Sequence, residues 1–200
     1  MSSNFTVCRD STPWEDFCLQ PPCGQLNPTE EGMYEVLEKI FVDMLNLFNP
    51  TTFHMGGDEI HIGCWNSSKS ITDWLISQGR KLNEEDFIWM WSKYQNTSFS
   101  KLQNASKSSG QAQAPEVVLW NSHLTLEKYI HFLDPSRYAI QFWTNSEDCS
   151  DLTIKTVAEA GFKMIFSNHD GAYLDCGYAG WVTDGNNWCS PYRGWQVLVQ

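Results

Sequence analysis

The sequence predicts an α/β fold built on a parallel sheet, and two observations predict it. Helical patterns alternate with short apolar strands, the arrangement of parallel strands joined by right-handed crossovers. The strands also end in polar or aromatic residues: Asp58-Glu59, Trp120-Asn121, Trp143 and Asn168. In a β/α barrel the carboxyl edge of the sheet is the active-site face. A doubly wound sheet places ligands there too, but the sequence contains no glycine-rich phosphate loop.

The elements follow in order. Residues 1–26 carry Cys8, Cys18 and Cys23 and the turn-rich Gln20-Pro21-Pro22-Cys23-Gly24, and read as a loop stapled by disulfides. Asn27 is expected to cap a helix with Pro28 in its first position and Glu30 and Glu31 in its first turn. Met33, Val36, Leu37, Ile40, Met44 and Leu47 keep helical spacing, and Asn49-Pro50 ends the run. A strand is expected over Thr51–Met55. Helices follow over Lys69–Gln78 and Glu84–Leu102, the second opened by Asn83 and three acids. Residues 104–115, rich in Ser, Gln and Ala, read as a flexible loop. Strands are expected at Glu116–Trp120, Tyr138–Trp143 and Phe162–Ser167. Between them lie a short helix near Leu126–Phe132 and a helix near Leu152–Ala160 closed by Gly161.

Composition narrows the function. A net charge of −11 argues against nucleic acid and anionic membrane as partners, since both are polyanions. The count of 10 tryptophans is high for 200 residues, and flat rings in excess suit stacking against sugars or bases. No apolar run is long enough to cross a bilayer. Four sequons, at Asn4, Asn66, Asn96 and Asn104, and 7 cysteines point to secretion and an oxidising compartment. Met1-Ser2-Ser3-Asn4 does not open a signal peptide, so the chain is expected to be a fragment whose natural start lies upstream.

The chemistry concentrates in Phe53-His54-Met55-Gly56-Gly57-Asp58-Glu59. A strand that ends in two glycines lets the backbone approach a ligand closely. It then delivers two adjacent carboxylates that resist ionising together. The better desolvated one keeps its proton to higher pH, as a general acid needs. His54, Asp58, Glu59 and His61 could suggest a metal, but their spacing fits no zinc motif, and His54 is expected to be a buried structural histidine near the acids.

His54-Met55-Gly56-Gly57-Asp58-Glu59 with Cys64-Trp65 resembles the signature of glycoside hydrolase family 20, the β-N-acetylhexosaminidases. The segment from Asp175-Cys176-Gly177 to Asn186-Asn187-Trp188-Cys189-Ser190-Pro191-Tyr192 resembles its arthropod, chitin-oligosaccharide-degrading branch. The resemblance implies that the four strands are strands four to seven of a (β/α)8 barrel, leaving the first three and the last outside the chain. It implies Glu59 as general acid and base, and Asp58 as the residue that orients the substrate acetamido group. Trp120 and Trp143 would line the acetamido pocket, with ordinary barrel packing as the alternative. Tyr173 and Asp175 match a Tyr-x-Asp pair that binds the acetamido carbonyl and sugar hydroxyls. Trp188 would stack the next sugar or anchor its own loop. Disulfides Cys8–Cys64 and Cys176–Cys189 are implied, with Cys18–Cys23 as a local bridge and Cys149 left free. Neither metal nor cofactor is implied.

The expected partners are β-linked N-acetylglucosamine or N-acetylgalactosamine oligosaccharides. The parent protein is expected to be secreted or lysosomal, and it could be membrane-associated and a homodimer. The family's upstream arginine and histidine–aspartate pair and its downstream Trp-x-Glu fall outside the chain. The polypeptide alone is therefore expected to have little or no activity. The rival to catalysis is a sugar-binding fragment using Tyr173, Asp175 and Trp188.

Overall fold

A computed structural model describes residues 5–144, 151–173 and 196. Asp175, Cys176, Trp188, Cys189, Cys149 and Asn4 lie outside the described residues. The elements are β1 (Thr6–Val7), β2 (Gln25–Leu26), α1 (Glu31–Phe48), β3 (Thr52–His54), α2 (Ile62–Ser67), α3 (Lys69–Ser77) and α4 (Glu84–Ser108). After them come β4 (Glu116–Trp120), β5 (Tyr138–Phe142), α5 (Asp151–Glu159), β6 (Lys163–Phe166) and α6 (His169–Ala172).

Strands β3, β4, β5 and β6 form one sheet in sequence order, and every neighbouring pair is parallel. Phe53 pairs with Val117, Val118 with Ala139, and Ile140 with Met164. Sequential parallel strands with helical crossovers are the repeating unit of a β/α barrel, and the chain builds a segment of one. The central strands are buried on both faces: Val117, Val118 and Leu119 of β4, and Tyr138, Ala139 and Ile140 of β5. The core lies between this sheet and the helices, where Phe41 and Leu45 of α1 meet Phe87, Ile88, Trp91 and Leu102 of α4. The N-terminal segment adds a separate antiparallel pair, β1 with β2. Disulfides Cys8–Cys64 and Cys18–Cys23 are both formed.

Several expectations need correction. Asn27 does not cap α1. Its Oδ1 accepts from the backbone N–H and hydroxyl of Thr29, a local turn that competes with helix entry, and the helix starts four residues later at Glu31. Its far end is as expected: Asn49 adopts the left-handed conformation at φ 44° and closes the last turn. The apolar face of α1 is only partly the one the spacing suggested: Met33 is buried and Leu37 packs on the core as expected. Ile40, Met44 and Leu47 are exposed, while Met33, Tyr34, Phe41 and Leu45 are buried. Apolar residues surround this helix, and the packing of α4 decides which of them is covered.

Helix α4 runs to Ser108, through residues read as loop, because Leu102, Ala105 and Ser106 are buried against the body of the protein. Asn83 and Asp86 close a reciprocal capping box at its start. The helix expected near residues 126–132 resolves into two 3-10 turns, His123–Thr125 and Ile130–Phe132. Helix α2, which the sequence reading missed, is a short turn capped by the imidazole of His61.

Candidate active site

The acid pair follows β3 directly. The last sheet contacts before it are Met55 N–H to the Val118 carbonyl at 2.9 Å and Trp120 N–H to the Gly56 carbonyl at 3.1 Å. Gly56 and Gly57 then take positive φ values of 70° and 78°, a backbone that side-chain-bearing residues rarely adopt. The double glycine therefore serves a left-handed turn that swings the chain off the strand. At Gly57 it also serves close approach. A Cβ there would lie 2.1 Å from Nε2 of Gln95, a fully buried residue of α4. Among the described residues neither polar atom of the Gln95 amide has a hydrogen-bond partner.

Two cavities meet at the acids. One, of about 380 Å³, is lined by Asp58, Glu59, Asn121, Trp143 and Thr144 together with Leu19. The other, of about 340 Å³, lies between the acids and the N-terminal loop, with Gln25, His61, Trp65, Trp91 and Tyr94 in its walls. Each cavity is within the range of volumes that small-molecule sites occupy.

Glu59 is exposed as a residue, yet burial of its carboxyl raises its pKa, and the charge of Asp58 raises it further. A carboxyl whose pKa is raised in this way keeps its proton to higher pH, as a general acid needs. His54 is exposed rather than buried. Its imidazole stacks obliquely on Trp120 with centroids 4.4 Å apart, and Nδ1 accepts from the Gly56 N–H at 2.9 Å. Burial lowers its pKa and Asp58 partly opposes that shift, so the neutral acceptor form suits the contact.

Trp143 and Trp120 diverge. Trp143 lines the cavity with the acids. Its indole N–H donates to the Asn121 carbonyl at 3.1 Å, and Asn121 Oδ1 accepts from the Trp143 backbone N–H at 2.9 Å. Trp120 packs on His54 beside Gly56. Tyr173 joins Trp143 through His169, whose ring centroid is 6.4 Å from Trp143 and 6.1 Å from Tyr173. Asp58, Glu59, Trp120, Trp143 and Tyr173 therefore all stand at the carboxyl ends of the strands. The sequence reading missed Asn121 as the holder of Trp143, although its place directly after a strand was visible. It missed Gln25 and Gln95 entirely, since a lone glutamine carries no motif. Among the described residues no cluster of three His, Cys, Asp or Glu side chains could hold a metal. No described helix is long and apolar enough to cross a membrane.

A parallel sheet in sequence order, with paired carboxylates and aromatic rings at its carboxyl edge, matches the active-site face of a β/α-barrel domain. Residues 2–199 match the model of the glycosyl hydrolase family 20 catalytic domain, and the chain belongs to that family. It is 44% identical over 198 residues to a chitooligosaccharidolytic beta-N-acetylglucosaminidase of Ostrinia furnacalis, covering 98% of this chain and 32% of that protein. The corresponding enzyme of Bombyx mori is 43% identical over 200 residues, again with 98% and 32% covered. The chain thus spans about a third of the length of these relatives. Among solved structures, a family 20 beta-N-acetylhexosaminidase of Streptomyces coelicolor aligns with a TM-score of 0.52 at 17% identity, over 84% of this chain and 27% of that one. A beta-N-acetylhexosaminidase of Bacteroides fragilis aligns with a TM-score of 0.55 at 13% identity, over 79% and 28%. Both share the fold.

Proposed function

We propose that the protein to which this chain contributes hydrolyses terminal β-linked N-acetylhexosamine residues, with the substrate supplying its own nucleophile. The observation that carries the reading is a desolvated Glu59 next to Asp58 on a cavity walled by Trp143. Glu59 gives its proton to the glycosidic oxygen as the acetamido carbonyl oxygen attacks C1. The leaving sugar departs and a cyclic oxazolinium remains. Asp58 faces the N–H of that ring and stabilises a positive charge that exists only after attack begins. Glu59, now a carboxylate, takes a proton from water. That water opens the ring at C1 and restores the acetamido group, so the anomeric configuration is retained.

Trp143 forms an apolar wall that excludes water and presses the acetamido group toward C1, Trp120 supports the site from its place against His54, and Tyr173 and Asp175 hold the sugar. Trp188 stacks the next unit. Chitin oligosaccharides are the favoured substrates, because the Ostrinia and Bombyx relatives carry that activity in their names. The protein is secreted or lysosomal, with glycans on Asn4, Asn66, Asn96 and Asn104. Asn66 and Asn104 are exposed, which supports the reading there, while the Asn96 amide oxygen accepts from Arg137 and Tyr138.

By itself the 200-residue polypeptide has little or no activity, since its described residues build a parallel sheet of four strands where a closed barrel has eight. A fluorogenic N-acetylglucosaminide and the matching glucoside separate the outcomes. The complete protein cleaves the first far faster, and equal rates would overturn substrate assistance. Robust turnover by the isolated chain would overturn its inactivity.

A further inference from the structure

Gln25, in the N-terminal segment, makes two hydrogen bonds to one backbone residue beside the acids. Its Oε1 accepts from the His61 N–H at 2.7 Å, and its Nε2 donates to the His61 carbonyl at 3.3 Å. A carboxamide does both from one planar group, whatever the pH. A glutamate cannot donate and a lysine cannot accept.

The leverage comes from what lies between the anchors. The last sheet bond upstream is at Gly56, and His61 is the next tethered residue. Gly57, Asp58, Glu59 and Ile60 make no main-chain hydrogen bond to any described residue. A span without its own bonds takes its geometry from its ends. Gln25 is in turn held rigidly. It pairs with Val7 in the β1–β2 ladder, and its neighbour Leu26 accepts from the Trp65 indole N–H at 3.0 Å. Disulfide Cys8–Cys64 ties the same segment to α2. Gln25 also shares a cavity wall with Asp58 and Glu59.

We propose that Gln25 is a positioning residue for the acid pair: its amide, locked onto both polar groups of the His61 backbone, sets where Asp58 and Glu59 stand. The inference rests on the catalytic reading above only for its effect on turnover. Catalytic geometry tolerates little error, so a released loop costs rate more than affinity. The titratable groups facing Glu59 across the two cavities are Asp58 and His61 from its own stretch, Tyr94 from α4 and His123 after β4.

The test replaces Gln25 with methionine, which keeps the volume and removes both hydrogen bonds. In the full chain, carboxyl-carbon NMR follows the titration of Glu59, assigned by its loss in Glu59→Gln. Release of the loop hydrates the carboxyl, and the midpoint moves down toward the ordinary glutamate range. In the complete protein, kcat for an N-acetylglucosaminide falls about ten- to a hundredfold while KM changes less than about threefold, and the alkaline limb of the pH profile moves to lower pH. An unshifted Glu59 midpoint in a variant that melts cooperatively overturns the proposal. If the parent cleaves no N-acetylhexosaminide, the functional reading fails while the NMR titration still decides the role of Gln25. Where Gln25→Met does not melt cooperatively, Gln25→Asn, shorter by one methylene, is read in the same way.

Discussion

Replacing Gly57 with alanine tests the local construction of the site most directly. The residue sits at φ 78°, where an L side chain is strained by about 1–2 kcal/mol. The new methyl would also lie 2.1 Å from Gln95 Nε2 and 3.2 Å from its Cδ. Gln95 is fully buried in α4, so overpacking adds about 1–3 kcal/mol. The expected loss is therefore about 2–5 kcal/mol, a large share of the roughly 5–15 kcal/mol that holds a domain folded. Urea unfolding of the full chain measures it. The double variant Gly57→Ala/Gln95→Ala separates the two causes. Truncating Gln95 removes the overlap and leaves the backbone strain, so the pair should couple favourably by about 1–3 kcal/mol. A Gly57→Ala loss below about 1 kcal/mol, or strict additivity in the double variant, would refute the packing argument.

Other perturbations test the electrostatics and the supports. Asp58→Asn removes a charge that raises the Glu59 pKa, so the alkaline limb of kcat/KM, where Glu59 loses its proton, should move to lower pH. Burial is the larger cause and remains, so Glu59 should stay above the ordinary glutamate value; an upward shift of the limb would contradict the assignment. Cys8→Ser/Cys64→Ser opens a loop with a sequence separation of 56, and the chain-entropy estimate puts the loss near 4 kcal/mol in denaturant melts. Opening Cys18–Cys23, with a separation of 5, should cost about 2 kcal/mol by the same estimate, and a larger loss there than at Cys8–Cys64 would reverse the argument. Asn121→Ala removes the 2.9 Å side-chain acceptor of the Trp143 backbone N–H and should cost about 1–3 kcal/mol; an unchanged melt would show that the Asn121 side chain is dispensable.

The acid stretch was legible in the sequence because its physics is local. Two glycines let the backbone approach a ligand closely, and two adjacent carboxylates resist ionising together, both from the residues alone. The strands at Glu116–Trp120 and Tyr138–Phe142 were legible for the same reason, being short apolar runs between turn signals. Which face of α1 is buried, how far α4 runs and where it finds its last turns were settled by long-range packing. Leu45 is covered and Leu47 is not only because α4 crosses one side of the helix. A capping residue such as Asn27 offers its oxygen equally to a helix or a turn, and the surrounding structure chose the turn.

The sequence by itself determined the parallel α/β character and the acid pair that follows two glycines at a strand end, since each depends on neighbours within a few residues. Only the tertiary structure decided that Asn121 holds the Trp143 backbone, that Gln25 is bound to His61, and that Gln95 abuts Gly57. Those facts depend on groups between 22 and 38 residues apart in the chain, a separation over which sequence pattern carries no geometry.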